Sequence, residues 1–289
     1  MRETIKTYRQ LTKPGIIRGN VLAAADGFLL ACAQHHTFNL ALFWFLIEGT
    51  TLVIASACVF NNVIDRGIDT RMARTKKRAL VTGRVSVRNA LIYGSVLGLS
   101  GFYILAAYTN MLVLAVGAAA FCMYVVVYGY FKRRTYWGTL VGCVPGALPP
   151  VAGYVAVSGR FDVAAVLLFL ILVFWQMPHF YSIALFRRKE YKAAGLPVFP
   201  VVHSARATKM QILGFIPVFV LLNIGLTVGG YTGVVYVIIM STLGALWFWK
   251  GFSTFGTASD YAWGKSMFLF SLIMISTLSV MLSVGGLLA

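Results

Sequence analysis

Residues 163–186 read VAAVLLFLILVFWQMPHFYSIALF, and Arg187-Arg188-Lys189 follow at once. Twenty-four positions pass without a charged side chain. A helix of that length rises about 36 Å, enough to cross a hydrocarbon core of about 30 Å. It is apolar on every face, as a helix buried in lipid and protein must be. The stretch is read as a transmembrane helix that ends on a cluster of cations.

The same pattern recurs along the chain. Apolar stretches fall at about 16–33, 39–60, 90–108, 111–131, 138–157, 163–186, 211–229, 231–250 and 266–288. Of 289 residues, 59% are hydrophobic and 11% charged, against about 25% charged in soluble domains. Mean hydropathy is +0.81. A water-soluble enzyme, a disordered chain and a fibrous repeat are excluded. The expectation is an all-α membrane protein: one polytopic domain over 1–289, with nine transmembrane helices in one bundle and no room for a second soluble domain.

The net charge of +17 would suggest nucleic acid in a soluble protein. Position decides otherwise. Alternate loops, beginning with the N-terminal segment, hold 24 of the 25 Lys and Arg residues, and the opposite set holds only Arg160. This bias predicts a cytoplasmic N-terminus and an outer C-terminus, with the lipid bilayer and not nucleic acid as the partner. The basic N-terminus runs straight into the first span, so no mitochondrial presequence is read and a bacterial inner membrane is expected. Cys32, Cys58, Cys122 and Cys143 all lie in apolar stretches without CxxC spacing. They read as packing residues.

The loops after spans two and six are long and polar, which places the chemistry on the cytoplasmic side. Span two ends in Phe60-Asn61-Asn62-Val63-Ile64-Asp65-Arg66-Gly67-Ile68-Asp69. On a continuing helix Asn62, Asp65 and Asp69 share one face. Two carboxylates and an amide oxygen suit Mg²⁺. The cations that follow, Arg71, Arg74, Lys76, Lys77 and Arg78, can grip phosphate oxygens. The pattern points to a metal-bridged diphosphate; the alternative is a solvated helix with ordinary charge pairs.

Span six places Gln176 and His179 three apart in an apolar run, with Pro178 expected to kink the helix. His179 reads as a proton carrier, a haem-iron ligand or a structural residue. Glu190, among basic neighbours, is a weaker copy of the first acidic site. Asp26 and Glu48 are expected to share a depth and meet in the outer half of the bundle. Pro145, Pro149 and Pro150 permit an irregular segment in span five.

These motifs carry a resemblance. Asn61-Asn62-x-x-Asp65-x-x-x-Asp69 resembles the first aspartate-rich motif of the intramembrane aromatic prenyltransferase superfamily. Thr12-Lys13-Pro14-Gly15, Cys58 to Arg66, Trp175-Gln176-Met177-Pro178-His179-Phe180 and Gly195 to Val202 resemble the protoheme IX farnesyltransferase family within it. The resemblance covers about residues 8–285. It implies a nine-helix bundle that transfers farnesyl from farnesyl diphosphate to a vinyl group of haem b, with water addition, giving haem O. It implies Mg²⁺ and diphosphate held by Asn62, Asp65 and Asp69. Asn61, Arg66, Lys76, Arg78, Lys132, Arg133, Gln176, Glu190 and Lys192 become candidates for substrate contacts, and His179 is moved toward a substrate-facing role. Haem A synthase or a terminal oxidase is a candidate partner. The superfamily's second motif is Asp-x-x-x-Asp, whereas this chain has Phe186-x-x-x-Glu190, which leaves one acid and puts a second metal site in doubt. Prenyl transfer to a quinone precursor and a lipid or anion carrier are the competing readings.

Overall fold

The computed structural model of the chain describes the backbone of residues 2–285. Residues 286–288 of the ninth expected span lie outside the described residues. The elements are α1 (Arg2–Leu11), α2 (Pro14–His35), α3 (Leu40–Asp69), α4 (Val87–Tyr108), α5 (Met111–Cys122), a π-helical turn (Met123–Tyr128) and α6 (Gly129–Phe131). There follow α7 (Gly138–Ser158), α8 (Val163–Phe186), α9 (Arg188–Ala193), α10 (Phe199–Val202), α11 (Ala205–Val228), α12 (Val234–Ser253) and α13 (Asp260–Gly285). Among the described residues nine helices are long and apolar enough to cross a membrane, with α5, the π turn and α6 forming one of them. No strand occurs among them.

Polar caps begin the helices where the sequence places them. Asn39, Ser86, Asn110, Asp162 and Ser204 accept backbone N–H groups at the starts of α3, α4, α5, α8 and α11. Asn110, in the brief break between spans three and four, also donates to the Val155 carbonyl of α7. Two long apolar runs are thereby separated by one residue that both caps a helix and ties it to a neighbour.

The bundle is centred on α7 and α8. Helix α2 lies on α7, α7 on α8, and α8 on both α11 and α13. The α2–α7 approach is backbone to backbone. A Cβ on Gly27 would strike the Pro150 carbonyl, and one on Gly153 would strike that of Ala24. Only glycine allows such a seam.

Several expectations change here. Helix α7 runs unbroken through Pro145, Pro149 and Pro150. The irregularity lies instead in span four, where residues 123–128 form the π turn without any proline. Asp26 does not meet Glu48. Its carboxylate accepts from Ser279 at 2.8 Å and Ser283 at 3.2 Å on α13, while Glu48 is exposed. A buried acid thus takes hydroxyl partners from a helix that sequence order places far away.

The segment between α3 and α4 folds back instead of extending into solvent. Leu11, Val59, Ala79, Leu80, Val85 and Ala90 form a second, smaller apolar cluster. It pins this loop and the α1–α2 elbow against the end of α3. Lys13, at the elbow, has φ of 53°, a left-handed conformation unusual outside glycine.

Candidate active site

Helix α3 outlasts its apolar run and carries Asn61, Asn62, Asp65 and Asp69 on its last two and a half turns. Asn62 and Asp69 converge on one atom. Arg78 Nη1 donates to Asp69 Oδ2 at 2.7 Å and to Asn62 Oδ1 at 3.3 Å. Asp65 faces the segment before α7, accepting from Lys132 Nζ at 2.5 Å and Arg133 Nη2 at 3.4 Å. Arg133 also donates to the Ile64 carbonyl. The elbow closes the cluster from the third side. Lys13 Nζ donates to Asn61 Oδ1 at 2.7 Å, and Asn62 Nδ2 donates to the Leu11 carbonyl at 2.7 Å.

Four cations, Lys13, Arg78, Lys132 and Arg133, therefore face two carboxylates. Lys13 touches only a neutral amide. Burial pulls its ammonium down from the ordinary 10.5 to about 8; Arg78 and Lys132 push the same way, while Cys58 and Asp65 oppose. Burial also lowers Lys132, despite Asp65 beside it. Asn61 Nδ2 is a buried donor without a partner among the described residues. An excess of positive charge beside an unpaired donor is the environment of an anion site. A cavity of about 50 Å³ opens among Gln10, Leu11, Asn62, Asp69 and Arg78.

From the sequence, Lys13 entered only as part of the Thr12-Lys13-Pro14-Gly15 motif, without a role of its own, and Tyr124 and Tyr128 did not enter. Tyr124 and Tyr128 stack at 5.6 Å on the π turn, and Lys132 Nζ lies 4.9 Å from the Tyr128 ring centre. A signal existed: Tyr124, Tyr128 and Lys132 recur every fourth position. Lys13 is the last cation before the first span.

The donor set fits a divalent metal of the Mg²⁺ type. Among the described residues there is no group of three or more His, Cys, Asp and Glu side chains that forms a cage. Mg²⁺ does not need one, because it keeps waters and takes substrate phosphates alongside one or two carboxylates. Asn62 Oδ1 and Asp69 Oδ2 already share one cationic atom, so their oxygens converge on a point that favours positive charge.

Other expected contacts are not brought to this cluster. Arg66, Lys76 and Lys192 are exposed, and their side chains make no hydrogen bonds among the described residues. Glu190 pairs loosely with Arg187 at 3.7 Å. Beside it, burial raises the Tyr191 hydroxyl while Arg74 and Arg187 oppose the rise. Gln176 and His179 do not share a hydrogen-bond partner among the described residues. Gln176 Nε2 donates to the Cys143 and Leu172 carbonyls in the α7–α8 seam, whereas His179 meets Ser271 on α13. Three residues on a helix leave about 60° between side chains, enough to reach different helices.

A bundle whose described residues form nine apolar helices, with acids, amides and lysines gathered at one end, defines a class of intramembrane enzyme. The chain belongs to the UbiA prenyltransferase family, whose pattern matches residues 21–273. It is a multi-pass membrane prenyltransferase. It is 45% identical to protoheme IX farnesyltransferase 2 of Pseudomonas entomophila, over 98% of this chain and 96% of that one. It is also 45% identical to protoheme IX farnesyltransferase of Pectobacterium atrosepticum, over 98% and 95%. A structure described for digeranylgeranylglyceryl phosphate synthase superposes with a TM-score of 0.83 at 16% identity, covering 99% of this chain and 100% of that one. A UbiA homolog from Archaeoglobus fulgidus bound to GPP and Mg²⁺ superposes with a TM-score of 0.66 at 18% identity, over 96% and 99%. These two establish the likeness of fold.

Proposed function

We propose that this chain transfers farnesyl from farnesyl diphosphate to a vinyl group of haem b, with addition of water, to give haem O and diphosphate. The observation that carries the diphosphate half is the buried cluster in which four cations face two carboxylates. The haem half is supported by the near-full-length identity to protoheme IX farnesyltransferases. The basic loops lie in the cytoplasm of a bacterium, and the bundle spans its inner membrane.

Lys13, Arg78, Lys132 and Arg133 hold the diphosphate, and Asn61 Nδ2 supplies a further donor to its oxygens. These groups stabilise the negative charge that grows as the allylic C–O bond breaks. Asn62, Asp65 and Asp69 would hold Mg²⁺, which when bound would supply charge neutralisation to the leaving diphosphate. The apolar run of α5 and the Tyr124–Tyr128 stack keep water from the allylic carbon, and their ring faces stabilise its positive charge. The vinyl carbon supplies the electron pair for the new C–C bond. Water then closes the remaining cation on the porphyrin side and loses a proton.

The test uses purified protein in lipid with haem b, farnesyl diphosphate and Mg²⁺. Extracted haems are weighed by mass spectrometry beside a chelator control and an Asp65→Ala variant. A haem heavier by farnesyl and hydroxyl, absent from both controls, is expected. Unchanged haem from protein that prenylates a quinone precursor would overturn the choice of acceptor.

A further inference from the structure

His179 is an intramembrane polar residue outside the diphosphate cluster, and its hydrogen bonds fix which nitrogen carries the proton. Ser271 Oγ donates to the Phe268 carbonyl at 2.6 Å, a contact between two oxygens that needs the serine proton between them. The same oxygen lies 2.8 Å from His179 Nδ1. With its proton committed, the hydroxyl accepts there, so Nδ1 carries the hydrogen. A neutral imidazole has one N–H, and Nε2 is left with a bare lone pair.

The ring is also held in place. Trp175 stacks on it at 4.8 Å with 27° between planes, and Trp175 Nε1 donates to the Ser271 carbonyl at 2.8 Å. Phe268 packs 5.1 Å away. Nε2 makes no hydrogen bond among the described residues, nor is it one of the fully enclosed atoms left without a partner. A locked tautomer, a second-nitrogen hydrogen bond and an open lone pair are the arrangement of a metal-ligating histidine. Mg²⁺ prefers oxygen donors, whereas imidazole suits iron.

We infer that His179 Nε2 binds the iron of the acceptor haem, so that the α8–α13 seam holds the porphyrin while the α3 cluster holds the diphosphate. This rests on the reading of haem as acceptor. Ser271 is then a positioning residue that keeps the proton on Nδ1 and orients the ring.

Ferric haem b and metal-free protoporphyrin IX are each titrated into wild type, His179→Ala, His179→Gly and Ser271→Ala in lipid nanodiscs. Optical and electron paramagnetic resonance spectra are recorded, and haem O formation is measured in parallel. Wild type should give a histidine-ligated iron spectrum. His179→Ala should lose it and bind haem more weakly, with protoporphyrin binding unchanged, and added imidazole should restore the spectrum in His179→Gly. Ser271→Ala should weaken haem binding about tenfold. Equal loss for both porphyrins, or an unchanged iron spectrum in His179→Ala, overturns the ligation. If wild type makes haem O without a histidine spectrum, ligation fails and the functional reading stands. If wild type binds haem but does not farnesylate it, the functional reading fails by itself.

Discussion

Replacing Arg78 by methionine isolates the electrostatic design of the site. Arg78 is the cation paired with Asp69, at 2.7 Å, and its side chain is 30% exposed against 6% for the aspartate. Breaking a fully buried pair by removing one partner costs about 3–5 kcal/mol. The partial exposure of Arg78 screens the pair, so about 2–3 kcal/mol is expected here. Most of that is the cost of leaving Asp69 charged and buried. Asp69→Asn, added to Arg78→Met, should therefore recover most of the stability while leaving activity low. Loss of one charge-assisted bond to diphosphate, worth about 1.5–3 kcal/mol, lowers kcat/KM by roughly 10- to 150-fold. Thermal unfolding in nanodiscs and steady-state farnesyl transfer measure the two effects. If the single variant is as stable as wild type, or the double variant less stable than the single, Asp69 is not held by Arg78 in the resting protein and the reasoning is refuted.

Lys13 gives a pH dependence. Its folded value of about 8 lies below the ordinary 10.5, so between those values the unfolded chain binds more protons and stability rises with pH. Diphosphate affinity moves the other way, since the native cation is lost above about 8. KM for farnesyl diphosphate should climb over that range in wild type and stay flat in Lys13→Arg. A Cβ at Gly153 meets the Ala24 carbonyl, so Gly153→Ala should force α2 from α7 and cost about 1–3 kcal/mol in thermal unfolding. Gln176 bonds two carbonyls in the α7–α8 seam; Gln176→Leu should cost about 1–3 kcal/mol of stability and leave KM for farnesyl diphosphate unchanged, which a kinetic comparison at low temperature checks.

The spans were legible because uncharged runs of about 20 residues have one stable fate in a membrane. Helical spacing put Asn62, Asp65 and Asp69 on one face of α3; the structure brings Asn62 and Asp69 together at Arg78, whereas Asp65 turns to Lys132 and Arg133. What sequence did not show is who meets whom across the bundle. Lys13 reaches Asn61 over 48 positions, and Asp26 reaches Ser279 over 253. Neither pair has a local signature. Gln176 and His179 misled for a geometric reason: proximity on one helix does not fix a common neighbour when the helix is surrounded on all sides. The π turn was invisible because its residues, Met123 to Tyr128, are ordinary apolar and aromatic ones. The loop cations were overcounted, since position in a basic segment does not separate Arg78, folded inward by Ala79 and Leu80, from Lys76 in solvent.

Under the proposed mechanism the resting ion pairs set the order of events at the site. Asp65 and Asp69 are held by Lys132, Arg133 and Arg78, the same cations that the proposed mechanism assigns to diphosphate. An anion that recruits those cations frees the carboxylates, and a divalent cation that occupies the carboxylates frees the lysine and arginines. Each ligand removes part of the work of binding the other, and by linkage the gain is mutual. Lys13 stands apart, because its partner is an amide and no ion pair must break for it to act. It therefore offers a standing positive charge for first capture, while the paired cations respond afterwards. The expected result is that inorganic pyrophosphate binds the wild-type protein more tightly when Mg²⁺ is present, and that this enhancement shrinks in Asp69→Asn, whose Arg78 is already free. An undiminished enhancement in that variant would mean that the carboxylate at 69 and the cation at 78 are not exchanged on binding, and the coupling would have to lie at Asp65.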